Sequence, residues 1–201
     1  GHVLALGNNS VDDELIHIIT IGSTSRIATL RTFTPNGTAI SDILIANTTS
    51  YDSFEVYSGL HDGDTILDPV VVKYNSTYTV FYVFHGNNMT SWKNVTYKYT
   101  PTLKEEPVRV FDDDLDGFDE IHYIEGNYSA YNIVRIEHDF SVTISRALPT
   151  NNDVVGMAYA MILGARPQIA ILRDSSRVDI YQAYNLTRLK TLDYTSPGST
   201  L

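Results

Sequence analysis

Residues 111–121 read Phe-Asp-Asp-Asp-Leu-Asp-Gly-Phe-Asp-Glu-Ile, a D-x-D-x-D-G-x-x-E pattern. Carboxylates on alternate residues followed by a glycine suit a short loop that bends back on itself, so that Asp112, Asp114 and Asp116 converge on one point. Like charges held that close repel, and a hard divalent cation relieves the repulsion. Calcium suits an all-oxygen donor set better than magnesium, which dehydrates reluctantly and seldom uses an all-protein cage. Nothing else in the chain suggests catalysis, since it has no H-E-x-x-H, G-x-S-x-G, Walker or G-x-G-x-x-G motif. His17 and His122 fall in strand-like runs and are expected to be packed structural groups, while His138-Asp139 forms a polar pair at a strand end. A non-enzymatic protein is therefore expected, with a glycosidase or lyase built on carboxylates as an outlying alternative.

The loop resembles the opening of an EF-hand, whose first, third and fifth positions give side-chain oxygens, whose sixth is glycine and whose seventh gives a carbonyl. Those positions hold Asp112, Asp114, Asp116, Gly117 and the backbone of Phe118. The twelfth position is Tyr123 instead of glutamate, and no helical pattern flanks the loop. Apolar strand-like runs lie on both sides instead, at 108–111 and 121–124, with Glu120 at the ninth position to close the cage. This setting is similar to the calcium loop of FG-GAP (integrin-alpha-like) propeller repeats, in which D-x-D-x-D-G-x-x-D joins two strands of a blade. Glu120 departs from that pattern, and the resemblance extends to the other repeats by strand pattern alone. It implies a β-propeller with one Ca²⁺ held by Asp112, Asp114, Asp116, Phe118 and Glu120.

The elements that would position this loop are strands. Short runs rich in Val, Ile, Tyr and Thr recur between clusters of Gly, Asn, Asp and Ser, with almost no helical periodicity. Aligning on Asp119-Glu120-Ile121-His122 brings out a repeat at Asp13-Glu14-Leu15-Ile16, Asp68-Pro69-Val70-Val71 and Pro167-Gln168-Ile169-Ala170, spaced by about fifty residues as propeller blades are. Four repeats follow, about 1–50, 51–103, 104–150 and 151–201, in a single domain covering 1–201. The expected strands are 3–6, 15–21, 26–33 and 40–45; then 54–57, 70–74, 79–84 and 95–99; then 108–111, 121–125, 132–137 and 142–147; then 154–163, 168–172, 178–184 and 188–192. The fold class is all-β, a propeller of four four-stranded blades that is either complete or part of a larger one. One or two β-sandwich domains are the alternative.

Alternating Gly156, Ala158 and Ala160 suggest a crowded inner strand. In the equivalent loops, 6–14 keeps Asn8, Ser10 and Glu14, 61–69 has Asp62, Asp64 and Asp68 out of phase, and 163–168 has no carboxylate. A single metal site, in the third repeat, is therefore expected.

Composition sets the remaining bounds. With 43% hydrophobic and 19% charged residues the chain is globular. A net charge of -10 disfavours nucleic acid and anionic membrane as partners. The longest apolar run, 154–165, is well short of the ~20 residues that span a bilayer, so no membrane insertion by this segment is expected. A start at Gly1 suggests a processed chain or a piece of a longer one.

Eight of the thirteen asparagines stand in N-x-[ST]: Asn8, Asn36, Asn47, Asn75, Asn88, Asn94, Asn127 and Asn185. Random placement of the 37 Ser and Thr residues would give about two or three. An excess of this size points to an extracellular or cell-surface N-glycoprotein. Absence of cysteine in such a protein leans toward an archaeal or other prokaryotic surface. The expected role is adhesion or structure, in an envelope layer or filament, with other copies of the chain or other surface proteins as partners. A ligand-binding receptor or lectin-like propeller that reads a protein or glycan is the alternative. Trp92, beside the Asn88 sequon, is the exposed aromatic such a surface could use.

Overall fold

The structure is a computed structural model, and it describes residues 3–10, 13–22, 26–49, 52–98, 108–127, 130–149, 154–173 and 177–193. Among these residues the regular structure is all strand, in four separate four-stranded antiparallel sheets that each follow chain order. The chain divides into two compact units, Gly1–Tyr99 and Thr100–Leu201, with two sheets in each. No helix among the described residues is long and apolar enough to cross a membrane.

In the first unit, blade 1 comprises β1 (Val3–Ser10), β2 (Asp13–Ile21), β3 (Ile27–Phe33) and β4 (Ala39–Asn47). Blade 2 comprises β5 (Ser53–Gly59), β6 (Asp68–Tyr74), β7 (Tyr78–Phe84) and β8 (Ser91–Lys98). In the second unit, blade 3 comprises β9 (Val108–Phe111), β10 (Glu120–Asn127), β11 (Ala130–Ile136) and β12 (Thr143–Ala147). Blade 4 comprises β13 (Val154–Ala160), β14 (Gln168–Arg173), β15 (Arg177–Gln182) and β16 (Arg188–Asp193).

These segments become strands because β-branched and aromatic side chains fill both faces of a pleated surface well. In blade 2 the second strand, β6, is buried from Asp68 through Lys73. At one edge of blade 3, β12 leaves four of its five residues exposed. A sheet buried on one face needs a second sheet against it. In the first unit Ile19, Ala28 and Leu30 of blade 1 pack with Phe54, Val56, Val71, Phe84 and Met89 of blade 2. In the second, Phe111, Ile124, Ile133 and Leu148 of blade 3 pack with Val154, Met157, Ile169, Ile171, Tyr181, Ala183 and Leu186 of blade 4. A stack of three rings bridges the latter pair. Phe111 lies 4.7 Å from His122 on one side and 4.3 Å from Tyr159 of β13 on the other, near-parallel to both.

The crowding expected around Gly156, Ala158 and Ala160 is not found. Ala158 and Ala160 are exposed, and a Cβ on Gly156 would meet nothing within 4 Å. Register explains this, because these small residues share the side of β13 opposite to Met157 and Tyr159, which face blade 3.

Ile133, wholly buried in the second unit, should respond to truncation as a packed core residue. Ile133→Ala is expected to lower unfolding free energy by about 2–5 kcal/mol in denaturant titration. Leu44→Ser, at a side chain left 72% exposed, should change it by no more than about 0.5 kcal/mol.

Candidate metal centre

The acidic loop spans 112–119, between the antiparallel partners β9 and β10, with Phe111 opposite Glu120. Asp112 organises its backbone. One carboxylate oxygen accepts from Leu115 N–H at 2.6 Å and Asp116 N–H at 3.2 Å, and the other from Gly117 N–H at 3.0 Å. Asp116 Oδ1 accepts from Phe118 N–H at 2.9 Å. The chain turns through Leu115 at φ 70° and Gly117 at φ 95°, left-handed conformations that favour glycine at the second position.

Asp112, Asp114 and Glu120 bring oxygen atoms within 4.8 Å of one another, a grouping able to hold a cation. Two of those carboxylates carry a buried oxygen with no hydrogen-bond partner, Oδ1 of Asp114 and Oε1 of Glu120. Of the other expected carboxylate ligands, Asp116 stands outside that grouping and accepts from the backbone N–H of Phe118. Asp114 lies above the ordinary carboxylate range, from burial and then the charges of Asp116 and Asp113. Burial pushes Glu120 well above that range too. A calcium ion fits these observations, because it would give the orphaned oxygens the positive partner they lack.

Beneath the loop lies a network that the spacing of the acidic residues does not reveal. Asp113, wholly buried, receives Arg135 of β11 through two bonds, Nε to Oδ2 at 2.5 Å and Nη2 to Oδ1 at 2.7 Å. Arg135 Nη1 donates to Glu137 Oε1 at 2.5 Å, and Nη2 lies 3.4 Å from Asp114 Oδ2 and 3.7 Å from Glu120 Oε2. His122 Nε2 stands 2.9 Å from Asp113 Oδ2. Burial alone would raise Asp113, but its bonds to Arg135 and His122 hold it below the ordinary range. Burial holds His122 below the usual imidazole range, which favours its neutral form.

The same loop position recurs in other blades with different chemistry. Asp68, Glu120 and Gln168 each begin the second strand of a blade, opposite the last residue of the first strand. Each accepts from the backbone N–H two residues past that strand: His61 onto Asp68 at 3.2 Å, Asp113 onto Glu120 at 3.0 Å and Ile162 onto Gln168 at 2.9 Å. Blade 4 thus closes the loop with a neutral amide. Blade 2 uses a carboxylate that is wholly buried and accepts a second bond from Gly86 N–H at 2.8 Å. That contact requires glycine, since a Cβ there would lie 2.3 Å from Leu67 O. Asp62, Asp68 and His85 of blade 2 also bring ligand atoms within 4.8 Å of one another, so two of the three blade 2 aspartates expected to be out of phase do converge, Asp64 standing outside the group, with an imidazole no spacing rule supplied. The register puts Val83 of blade 2 where blade 3 has Arg135, so blade 2 lacks that internal cation.

The sequons can also be placed. Asn36, Asn47, Asn88, Asn94 and Asn185 are exposed and Asn75 is half-buried, while the side chains of Asn8 and Asn127 lie outside the described residues. In four of them the asparagine Oδ1 accepts from the backbone N–H two residues on: Asn36 from Thr38, Asn75 from Thr77, Asn88 from Thr90 and Asn185 from Thr187. Trp92 is half-buried, its ring 5.8 Å from that of His85.

No family model matches the chain, and no curated protein does. Among solved structures it is similar to one described as the Dos1 propeller, with a TM-score of 0.59 and 8% sequence identity over 98% of this chain. The chain spans about half of that propeller, 47% of its length. The four sheets are accordingly β-propeller blades, and the similarity extends to fold alone.

Two outcomes follow. Arg135→Met should cost about 3–5 kcal/mol in thermal or chemical unfolding, because Asp113 is left buried and unpaired. Burial raises Asp68 from 3.8 to about 6. The folded state then holds that proton more tightly, so stability present below about pH 4 is lost as pH rises toward 6. In the presence of a chelator, Asp68→Asn should flatten this slope in a series of melting curves.

Proposed function

We propose that this chain is part of an extracellular, N-glycosylated, non-enzymatic surface protein with an adhesive or structural role, in which one calcium ion rigidifies a propeller blade. The observation that carries the reading is the excess of N-x-[ST] sites, eight among thirteen asparagines, five of them with exposed side chains. Glycans need exposed attachment points, and turns between the third and fourth strands hold three of these: Asn36, Asn88 and Asn185. Sugar there would shield the polar ends of the blades and leave sheet edges and apolar patches for other copies of the chain or other surface proteins.

Asp112, Asp114 and Glu120 would hold the ion, joined by Asp116 and the Phe118 carbonyl if the loop closes further. When bound it supplies charge neutralisation and a rigid turn. Around it, the chain's own residues fix the site: Asp112 holds the loop backbone, and Arg135 balances Asp113 and Glu137.

Mass spectrometry of the protein isolated from its native source tests the reading. Glycan-bearing peptides are expected at most of the exposed sequons, and bare asparagines throughout would overturn it. Calcium should raise the melting temperature of the chelated protein, and Asp114→Asn should weaken binding by roughly 10-fold or more in calorimetry, ligand loss costing at least what loss of an outer partner does. Chemical cross-linking should give a regular ladder of oligomers, where a strictly monomeric protein would speak for the receptor-like alternative.

A further inference from the structure

The turn between β11 and β12 brings a second group of donors to Glu120. Ligand atoms of Glu120, Glu137 and His138 lie within 4.8 Å of one another. Glu120 has no exposed surface, and its Oε2 is already used by Asp113 N–H. Its Oε1 is buried without a partner, and His138 Nδ1, also buried without a partner, stands 3.8 Å away. That distance is too long for a hydrogen bond. Two ligand atoms about 2.1 Å from a single zinc ion stand about 3.4 Å apart at the tetrahedral angle, so a shift of a few tenths of an ångström would seat both on one ion.

The imidazole is also held for the task. The Phe118 ring stacks on it at 4.2 Å with 16° between planes, fixing its orientation toward Glu120. Glu137 is fixed through one oxygen by Arg135, with its other oxygen available as a ligand. Second partners that orient a ligand in this way are what metal sites use.

The donor composition recurs in the neighbouring repeat. Blade 2 gathers Asp62, Asp68 and His85, again two carboxylates and one imidazole. In both blades one carboxylate begins the second strand and the imidazole comes from the turn after the third. Blade 4 has Gln168 opposite Gln182, the places that hold Asp68 and His85 in blade 2 and Glu120 and Glu137 in blade 3, and no such set among its described residues.

We propose that Glu120, Glu137 and His138 form a binding site for a borderline divalent transition ion of the zinc class, distinct from the calcium proposed for the loop. Calcium takes oxygen ligands, whereas imidazole suits zinc, cobalt and nickel. The proposal shares Oε1 of Glu120 with the calcium reading, so that oxygen would bridge the two ions when both are bound, but it does not require that reading to hold.

The test is calorimetric titration of the full chain with zinc, in the presence of excess calcium, on the parent protein and the variants His138→Ala and Asp112→Asn. His138→Ala should bind one zinc equivalent fewer than the parent while its calcium binding is unchanged. Asp112→Asn should lose calcium and keep that zinc. Cobalt in place of zinc gives a second readout. Its visible d–d absorption should change between parent and His138→Ala, which a purely structural role for His138 would not produce. Circular dichroism identifies any variant that misfolds, and His138→Gln, which preserves bulk and polarity, then replaces His138→Ala. An unchanged zinc stoichiometry in a folded His138 variant overturns the proposal, as does stoichiometric displacement of zinc by calcium. Loss of calcium in Asp112→Asn with zinc retained supports both readings, and absence of calcium binding in the parent with zinc retained removes the loop reading alone.

Discussion

The buried pair of Asp113 and Arg135 is the interaction on which the third blade depends. Both side chains are almost fully removed from water, and neither charge could stay there alone without a cost of several kcal/mol. Joined by two bonds in fork geometry, they satisfy each other and tie the β9–β10 loop to the third strand of the same blade. The remaining donors of Arg135 then reach Glu137, Asp114 and Glu120. One guanidinium thereby fixes the relative positions of four carboxylates belonging to three separate segments. Whatever the acidic loop binds, it binds on a frame that this arginine has already set.

The blades show how one backbone problem is solved with different side chains. In blades 2, 3 and 4 the turn after the first strand presents an N–H that needs an acceptor, and the first residue of the second strand supplies it. Gln168 does so at no electrostatic cost. Asp68 and Glu120 do so as carboxylates buried from water, and both are displaced upward from the ordinary acid range, mainly by burial. A group strained in that direction is receptive to a proton or to a metal ion, and which of the two it takes depends on what else is nearby. In blade 3 the neighbours are the loop aspartates Asp112 and Asp114, and an imidazole with a second glutamate. In blade 2 they are Asp62 and His85.

Much of the architecture was legible in the sequence, because strand periodicity and turn residues act locally. The fifty-residue repeat and four strands in each repeat match the sheets that form. The boundary of β13 was not legible. Its apolar run continues through Met161, Ile162 and Leu163, but the strand ends at Ala160 because Gln168 Oε1 takes the N–H groups of Ile162 and Leu163 into a turn. Hydropathy cannot register a side-chain acceptor arriving from the next strand. The alternate aspartates likewise announced a loop in which Asp112 and Asp114 converge, but not the pairing of Asp113 with Arg135, which are 22 residues apart and meet only through the register of β10 and β11. The same holds for His85 and His138. Each reads as an isolated histidine until the turn after a third strand folds over the start of a second.

The asparagines of four N-x-[ST] sites do structural duty, each amide oxygen closing a small ring with the backbone two residues ahead. Exchanging such a residue for glutamine, the usual way to erase an attachment point, would lengthen the side chain by one methylene and open that ring. At Asn36, Asn88 and Asn185 aspartate would keep the accepting oxygen in place while removing the amide nitrogen, whereas at Asn75 that nitrogen also donates to Asp52 and a second carboxylate would be repelled. In this molecule the conventional replacement would therefore confound two effects, a missing sugar and a loosened bend, that the shorter acid can separate.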